Sequence, residues 1–284
     1  MGTLHEQFTK FIQGRKYLKN VSAKTAEWYE QSFQWLDNPD PTDSDLKQFV
    51  IRMRQVGLKA ASCNNRIRAV NAYLHWHADD SVPKCGAGCR HLRVPKLREE
   101  QRVLPVYKTD DVQNVMSFKP KTWYERRLMV LILTLADCGC RIDEALSLKW
   151  DDVDFDNLLL TLHGKGSKDR KVPFSFELRR HLFKFKQKHE HQRVFSTKRG
   201  EKWGQRNCYR DVKRLCTRVG IHAPERLLHS FRHTMASNYI RRGGSVAMLQ
   251  RVLGHTTLQM TMRYVHIQTE DLSKNHERIT LLGR

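Results

Sequence analysis

Five stretches of the chain carry side chains suited to handling a phosphate. In Cys140-Arg141-Ile142-Asp143-Glu144, which follows a glycine and opens a helix, Arg141 can present its planar fork to phosphate oxygens while Glu144, on the same face, orients a neighbour. Gly164-Lys165-Gly166-Ser167-Lys168-Asp169-Arg170 reads as a cationic hairpin tip; it lacks the G-x-x-x-x-G-K-[ST] spacing of a P-loop. In Leu228-His229-Ser230-Phe231-Arg232-His233, His229 and Arg232 are three apart and share a helix face. Leu253-Gly254-His255 closes a helix, and Met262-Arg263-Tyr264-Val265-His266 adds a phenol between basic residues. Each fragment also has a plainer reading: a salt-bridged helix start, a structural histidine, or, for Tyr264, a core aromatic among Leu258, Met262 and Val265.

One metal reading falls away and a second, a zinc site, stays open as an alternative. Asp152-x-Asp154-x-Asp156 begins like a calcium loop, but Asn157 stands where glycine is required and His163 where the bidentate Glu belongs. Cys85 and Cys89, with His75, His77 and His91 nearby, lack the paired-knuckle spacing of structural zinc sites. No cofactor and no metal are expected.

The order Arg, Lys, His-x-x-Arg, Leu-Gly-His, Tyr closely resembles the tyrosine recombinase (phage-integrase-like) family, which includes the Xer-type enzymes. The resemblance covers about residues 106–268 in detail, with local matches in GKGSKDRKVPF, SFRHTMAS and LGHTTLQMTMRYVH. Spacing agrees as well: twenty-three residues from Arg232 to His255 and nine from His255 to Tyr264. The resemblance implies that Tyr264 attacks a scissile phosphate and forms a 3′-phosphotyrosine bond. Arg141 and Arg232 would bind the non-bridging oxygens. Lys165 would protonate the departing 5′-oxygen, with Lys168 as competitor for that role. His229 would assist proton transfer, His255 would donate to the phosphate, Glu144 would support the cluster from behind, and His266 would add a secondary contact. Strands would then pass through a Holliday junction.

The chemistry asks for these residue types on its own account. A phosphodiester transition state builds negative charge on its equatorial oxygens, so fixed guanidiniums suit it. Tyrosine, with a reference pKa near ~10, needs adjacent cations or a base to act as a nucleophile. A covalent intermediate conserves the bond energy, so rejoining needs no ATP. No carboxylate cluster suited to two magnesium ions appears, which argues against a metal-dependent nuclease.

The elements that must position these groups are mainly helical. In residues 1–80, Ser22 precedes the stripe Ala26, Tyr29, Phe33, Leu36, and Thr42-Asp43-Ser44-Asp45 has capping-box form ahead of Leu46, Phe49, Val50 and Met53. A fourth helix, about 60–78, turns Ile67, Val70 and Leu74 inward and shows Asn64, Arg66 and Arg68 on its other face. These three, with Lys168 and Arg170, are candidate DNA contacts, a solvated helix face being the alternative for the first three. The resemblance makes this segment a four-helix (SAM-like) core-binding domain. Residues 81–105, with Pro83, Gly86, Gly88, Pro95 and Pro105, read as a linker. From 106 the expectation is a mostly helical catalytic domain with one small antiparallel hairpin, 158–162 against 171–174, and a C-terminal tail from about 269. Thr109 is expected to cap the first helix of this domain. The last expected helix carries Met260–Val265.

Composition fits a polyanion partner. The net charge is +21, with 16 Lys+Arg against 11 Asp+Glu in residues 1–100 and 35 against 19 in the remainder. Seven scattered cysteines fit a reducing compartment, and no signal peptide or membrane span is evident, so a cytoplasmic, nucleoid-associated protein is expected. The chain begins almost directly with the core-binding helices, as in the two-domain Xer-type, transposon-resolving or compact phage enzymes. Double-stranded DNA, a homotetramer and an accessory or directionality factor are the implied partners. A type IB topoisomerase, which shares the chemistry, and a non-enzymatic DNA-binding regulator are the competing readings.

Overall fold

The computed structural model describes residues 5–81, 92–99, 106–164, 169–221, 224 and 226–265. The chain divides into two compact units, Met1–Arg102 and Val103–Arg284.

The first unit is built from α1 (Glu6–Tyr17), α2 (Ala23–Phe33), α3 (Asp43–Gln55) and α4 (Ala60–Ser81). Ser22 caps α2 through Thr25 N–H, and Thr42 and Asp45 form a reciprocal capping box on α3. Phe8, Phe11, Tyr29, Phe33 and Tyr73 pack ring on ring at its centre. Tyr73 keeps its hydroxyl satisfied there by donating to Pro39 O at 2.7 Å.

Residues 92–99, placed in the linker by Pro95 and the charges around it, run along α4. Asn71 and Asn64, seven residues apart on one face of α4, each exchange two hydrogen bonds with this segment. Asn71 pairs with the backbone of Val94 (both 2.9 Å) and Asn64 with that of Leu97 (both 2.8 Å). Asn64 is therefore not on the open face of the helix. It is 6% exposed and spent on holding a backbone segment, which corrects its reading as a DNA contact. Arg66 lies over Trp35 and is half-buried, and Arg68 remains exposed beside Trp28.

In the second unit α6 (Trp123–Cys138) forms the spine. Its segment from Leu128 to Leu135 is buried throughout, and Thr122 caps it with Glu125 in a capping box. Around it pack α5 (Thr109–Ser117), α7 (Ile142–Ser147), α8 (Phe176–Lys186), α9 (Gln205–Arg218) and α10 (Leu227–Arg241). The N-cap of α5 is Lys108, whose N–H donates to Asp111; Thr109 is already the first helical residue, one place later than its expected capping role. Tyr107 stacks on Phe231 and donates to Leu227 O, tying the start of the unit to α10.

The sheet is antiparallel with order β1 (Val153–Asp154), β2 (Leu159–His163), β3 (Asp169–Pro173). The expected hairpin is β2–β3; β1 is an addition, too short for its alternation to show in the sequence. Leu160, Leu162 and Val172 point into the core. At the end of the hairpin where β2 leads on to β3, His163 bridges Asp152 and Asp169, at 2.9 and 3.0 Å. The chain then forms α11 (Val246–Leu253) and α12 (Leu258–Met262). Among the described residues, no helix is long and apolar enough to cross a membrane.

Candidate active site

The site is seated on the ends of helices. α6 stops at Gly139, whose φ of +59° allows the left-handed turn that frees its carbonyl. α11 stops in the same way at Gly254, φ +63°. Arg232, from α10, donates to both ends: Nη1 to Gly139 O at 2.8 Å and Nη2 to Leu253 O at 2.6 Å. These carbonyls lie at the negative ends of two helix dipoles, so they both satisfy and orient the guanidinium. Arg232 is a five-donor group, and its remaining N–H groups are not used by these carbonyls. Burial, with Arg141 beside it, lowers Arg232 to about 10, so it stays cationic at neutral pH.

Arg141 precedes α7, and Glu144 is the third residue of that helix. Glu144 accepts from Arg141 N–H (2.7 Å), Arg141 Nη1 (2.9 Å), Arg170 Nη1 (2.8 Å) and Arg170 Nη2 (2.8 Å). Burial alone would push its carboxyl up. The hydrogen bonds and charge of Arg170, together with those of Arg141, overcome that and hold it down to about 2. Arg141 is still partly exposed and reaches toward Gly254 O.

His255, just after the α11 turn, bonds Thr261 Oγ1 through Nδ1 at 2.9 Å, and its ring lies parallel to that of Tyr264. Burial and the nearby Arg232, Arg141, Arg263 and Arg170 bring His255 down to about 4, so it is neutral near pH 7. Tyr264 is 3% exposed and packs on Ala236, Leu249 and Leu253. Its hydroxyl lies 2.9 Å from His233 Nδ1. Burial raises the phenol above its ordinary value, against the pull of Arg232, Arg263 and Arg141. His229 sits exposed on the rim, lowered by partial desolvation and by Arg232 and Arg226. The arrangement gathers two guanidiniums, the His255 imidazole and a phenol around the turn Leu253-Gly254-His255, with His229 at the rim, a combination suited to phosphoryl transfer.

The profile of the phage integrase family matches residues 106–271. The chain belongs to the phage integrase family. It is a site-specific tyrosine recombinase, an enzyme that breaks and rejoins DNA strands. This recombinase is 27% identical to tyrosine recombinase XerA of Pyrococcus horikoshii, over 98% of this chain and 93% of that one. It is 31% identical to tyrosine recombinase XerA of Thermococcus kodakarensis, over 84% and 82%. The Tn1549 transposon integrase, solved in complex with circular intermediate DNA, superposes with a TM-score of 0.78 at 19% identity, covering 97% of this chain and 99% of that one. At that identity the likeness is one of fold.

In this recombinase Arg141, Glu144, Arg232, His255 and Tyr264 are brought together, with His229 at the rim. Lys165, Lys168, His266, the tail, Cys85, Cys89 and His91 lie outside the described residues. Arg170 departs from its expected role as a DNA contact. Its side chain is 13% exposed and each of its three guanidinium nitrogens is engaged, with Nε on Val252 O at 2.9 Å and both Nη atoms on Glu144. Strand alternation carried this signal, because Arg170 shares its face with the buried Val172. The apolar neighbours expected to bury Tyr264 do not: Leu258 and Met262 are 47% and 49% exposed. α12 has only five residues and turns Thr261 inward instead, and Tyr264 follows it in a turn rather than within the helix. His233 was given no role by the sequence, although positions 229, 232, 233 and 236 form one helical stripe.

Proposed function

We propose that Tyr264 is the nucleophile of a site-specific recombination reaction on double-stranded DNA. Its phenolic oxygen attacks the scissile phosphorus. The Oη–P bond forms, the P–O5′ bond breaks, and a 3′-phosphotyrosine and a 5′-hydroxyl result. Arg141 and Arg232 hold the non-bridging oxygens and His255 donates to one of them. Lys165 supplies the proton to the 5′-oxygen, and His229 at the rim assists proton transfer. Glu144 acts indirectly, by fixing Arg141. Rejoining runs the same steps in reverse, and exchange between two duplexes passes through a Holliday junction with neither ATP nor metal. Residues 1–80 serve as the core-binding domain and 106–284 as the catalytic domain, and four copies assemble on paired sites, with an accessory or directionality factor where direction must be imposed.

The observation that carries this reading is the convergence of Arg232, Arg141, His255 and Tyr264 on one turn, Leu253-Gly254-His255. The surplus of +21 supports a DNA partner, and Arg66 and Arg68 on the first unit remain candidates to contact it. Incubation with duplexes from a randomised pool, followed by a denaturing gel, tests it. A protein–DNA adduct is expected from the natural chain and none from Tyr264→Phe. An adduct that persists in the Phe variant refutes the assignment.

A further inference from the structure

One buried titratable side chain at the site has no part in the mechanism above. His233 is buried on α10, and its Nδ1 lies 2.9 Å from the Tyr264 hydroxyl. Arg232, Arg263 and Arg141 lie close enough to favour the ionised form of that phenol, so the oxygen that attacks must be relieved of its proton. The acceptor in reach is His233 Nδ1, which requires the neutral imidazole with its proton on Nε2. Among the described residues no hydrogen bond joins His229 to Tyr264. Resting on the reading of Tyr264 as nucleophile, we propose that His233 is the catalytic base that takes the phenolic proton when Tyr264 attacks, and the acid that returns it on rejoining.

The balance is simple. As the Oη–P bond forms and the P–O5′ bond breaks, the O–H pair of the phenol becomes the new bond's electron pair and the proton moves to Nδ1. In rejoining, the 5′-hydroxyl attacks, the Tyr264 oxygen leaves and the proton passes back. The same surroundings keep the base idle without DNA. His233 is lowered to about 4 by burial first, then by His229, Arg263, Arg232 and Arg226, so it is neutral but weakly basic at pH 7. A phosphate seated on the arginines neutralises the cations that face it and raises its basicity. The nucleophile is thereby activated by the substrate it is to attack.

The test uses the full chain and a duplex chosen from a randomised pool by covalent capture with the natural protein. His233→Asn keeps an acceptor for the phenol but cannot take a proton; His233→Gln is the second variant. With melting temperature and DNA binding retained, single-turnover adduct formation should fall by about 10²-fold or more. The natural chain's rate should vary little from pH 7 to 9, whereas the variant's should climb with pH as the phenol ionises unaided. A duplex with a 5′-bridging sulfur, whose leaving group needs no proton, should leave the defect in place, because the lost step lies on the nucleophile's side. A variant that cleaves at the natural rate with the natural pH profile, or one rescued by the bridging sulfur, overturns the proposal. The natural chain supplies a reading independent of variant folding. Imidazole 15N spectra should show His233 as the Nε2–H tautomer, with an Nδ1 resonance that moves in Tyr264→Phe. An Nδ1–H tautomer, or no movement, overturns it as well. Adduct formation by Tyr264→Phe would instead sink the nucleophile assignment itself.

Discussion

Replacing Glu144 by glutamine keeps the side chain's shape and removes its charge from between two guanidiniums. The carboxylate is 6% exposed and accepts four hydrogen bonds, two of them from Arg170. A carboxyl that titrates at about 2 instead of its ordinary 4.5 contributes roughly 3 kcal/mol at neutral pH, at ~1.36 kcal/mol per pKa unit. That agrees with the range of about 3–5 kcal/mol for removing one partner of a buried ion pair. Because the folded value is the depressed one, this contribution is present above the unfolded value and drains away as pH falls through 4.5 toward 2. Urea unfolding followed by circular dichroism should therefore give a gap of roughly 3 kcal/mol between the natural chain and Glu144→Gln at pH 7. The gap should be nearly the same at pH 5.5 and about 2 kcal/mol at pH 3.5. Single-turnover cleavage should fall too, since Arg141 loses the partner that fixes it. A variant within ~1 kcal/mol of the natural chain at pH 7, or a gap that does not shrink below pH 4.5, would refute the argument.

Two further outcomes follow from the local geometry. A Cβ on Gly254 would lie 3.0–3.1 Å from the Arg170 side chain, at a φ of +63°. Gly254→Ala should thus cost more than the ~1–2 kcal/mol of left-handed strain alone. Gly220→Ala, at φ +72° with nothing within 4 Å, isolates that strain; equal melting temperatures for the two variants would remove Arg170 from the explanation. His163, held above its ordinary value by Asp152 and Asp169, braces the hairpin in its protonated form. Its contribution is complete below the unfolded value and lost as pH rises through the folded one. With about half of the imidazole exposed, solvent screening keeps it under ~1 kcal/mol. His163→Asn should therefore speed amide exchange in β2–β3 at pH 6 and leave it unchanged at pH 9, and equal acceleration at both values would refute the brace.

Much of the fold could be read where the signal is local. Ser22, Thr42 with Asp45, and Thr122 with Glu125 announce helix starts through the residues that satisfy their first N–H groups. The Leu159–His163 strand shows in its apolar run. What stayed hidden depends on distant partners. Asn64 looks like a surface amide until an irregular segment some thirty residues later docks on it. Arg170 sits in a run of charges that suggests solvent, and only the seat made by Glu144 and Val252 shows why a cation can be buried there. His233 was overlooked because the pattern His-x-x-Arg draws attention to its neighbours; its partner, Tyr264, is thirty-one residues away.

The seat of Arg232 on the ends of α6 and α11 has a consequence for synthesis. The bond from Arg232 to Gly139 spans 93 residues, that from Arg141 to Gly254 spans 113, and that from Arg170 to Val252 spans 82. A chain still emerging from the ribosome carries its first unit and α6 long before these bonds have both of their ends. Until α11 and the turn after it are made, Arg232 lacks Leu253 O, Arg170 lacks Val252 O and Arg141 lacks Gly254 O. On the mechanism proposed above, a copy that ends before residue 252 should form no covalent adduct with DNA. For an enzyme that breaks DNA strands, a site whose seats are drawn from residues so far apart makes folding of the whole second unit the condition for assembling it.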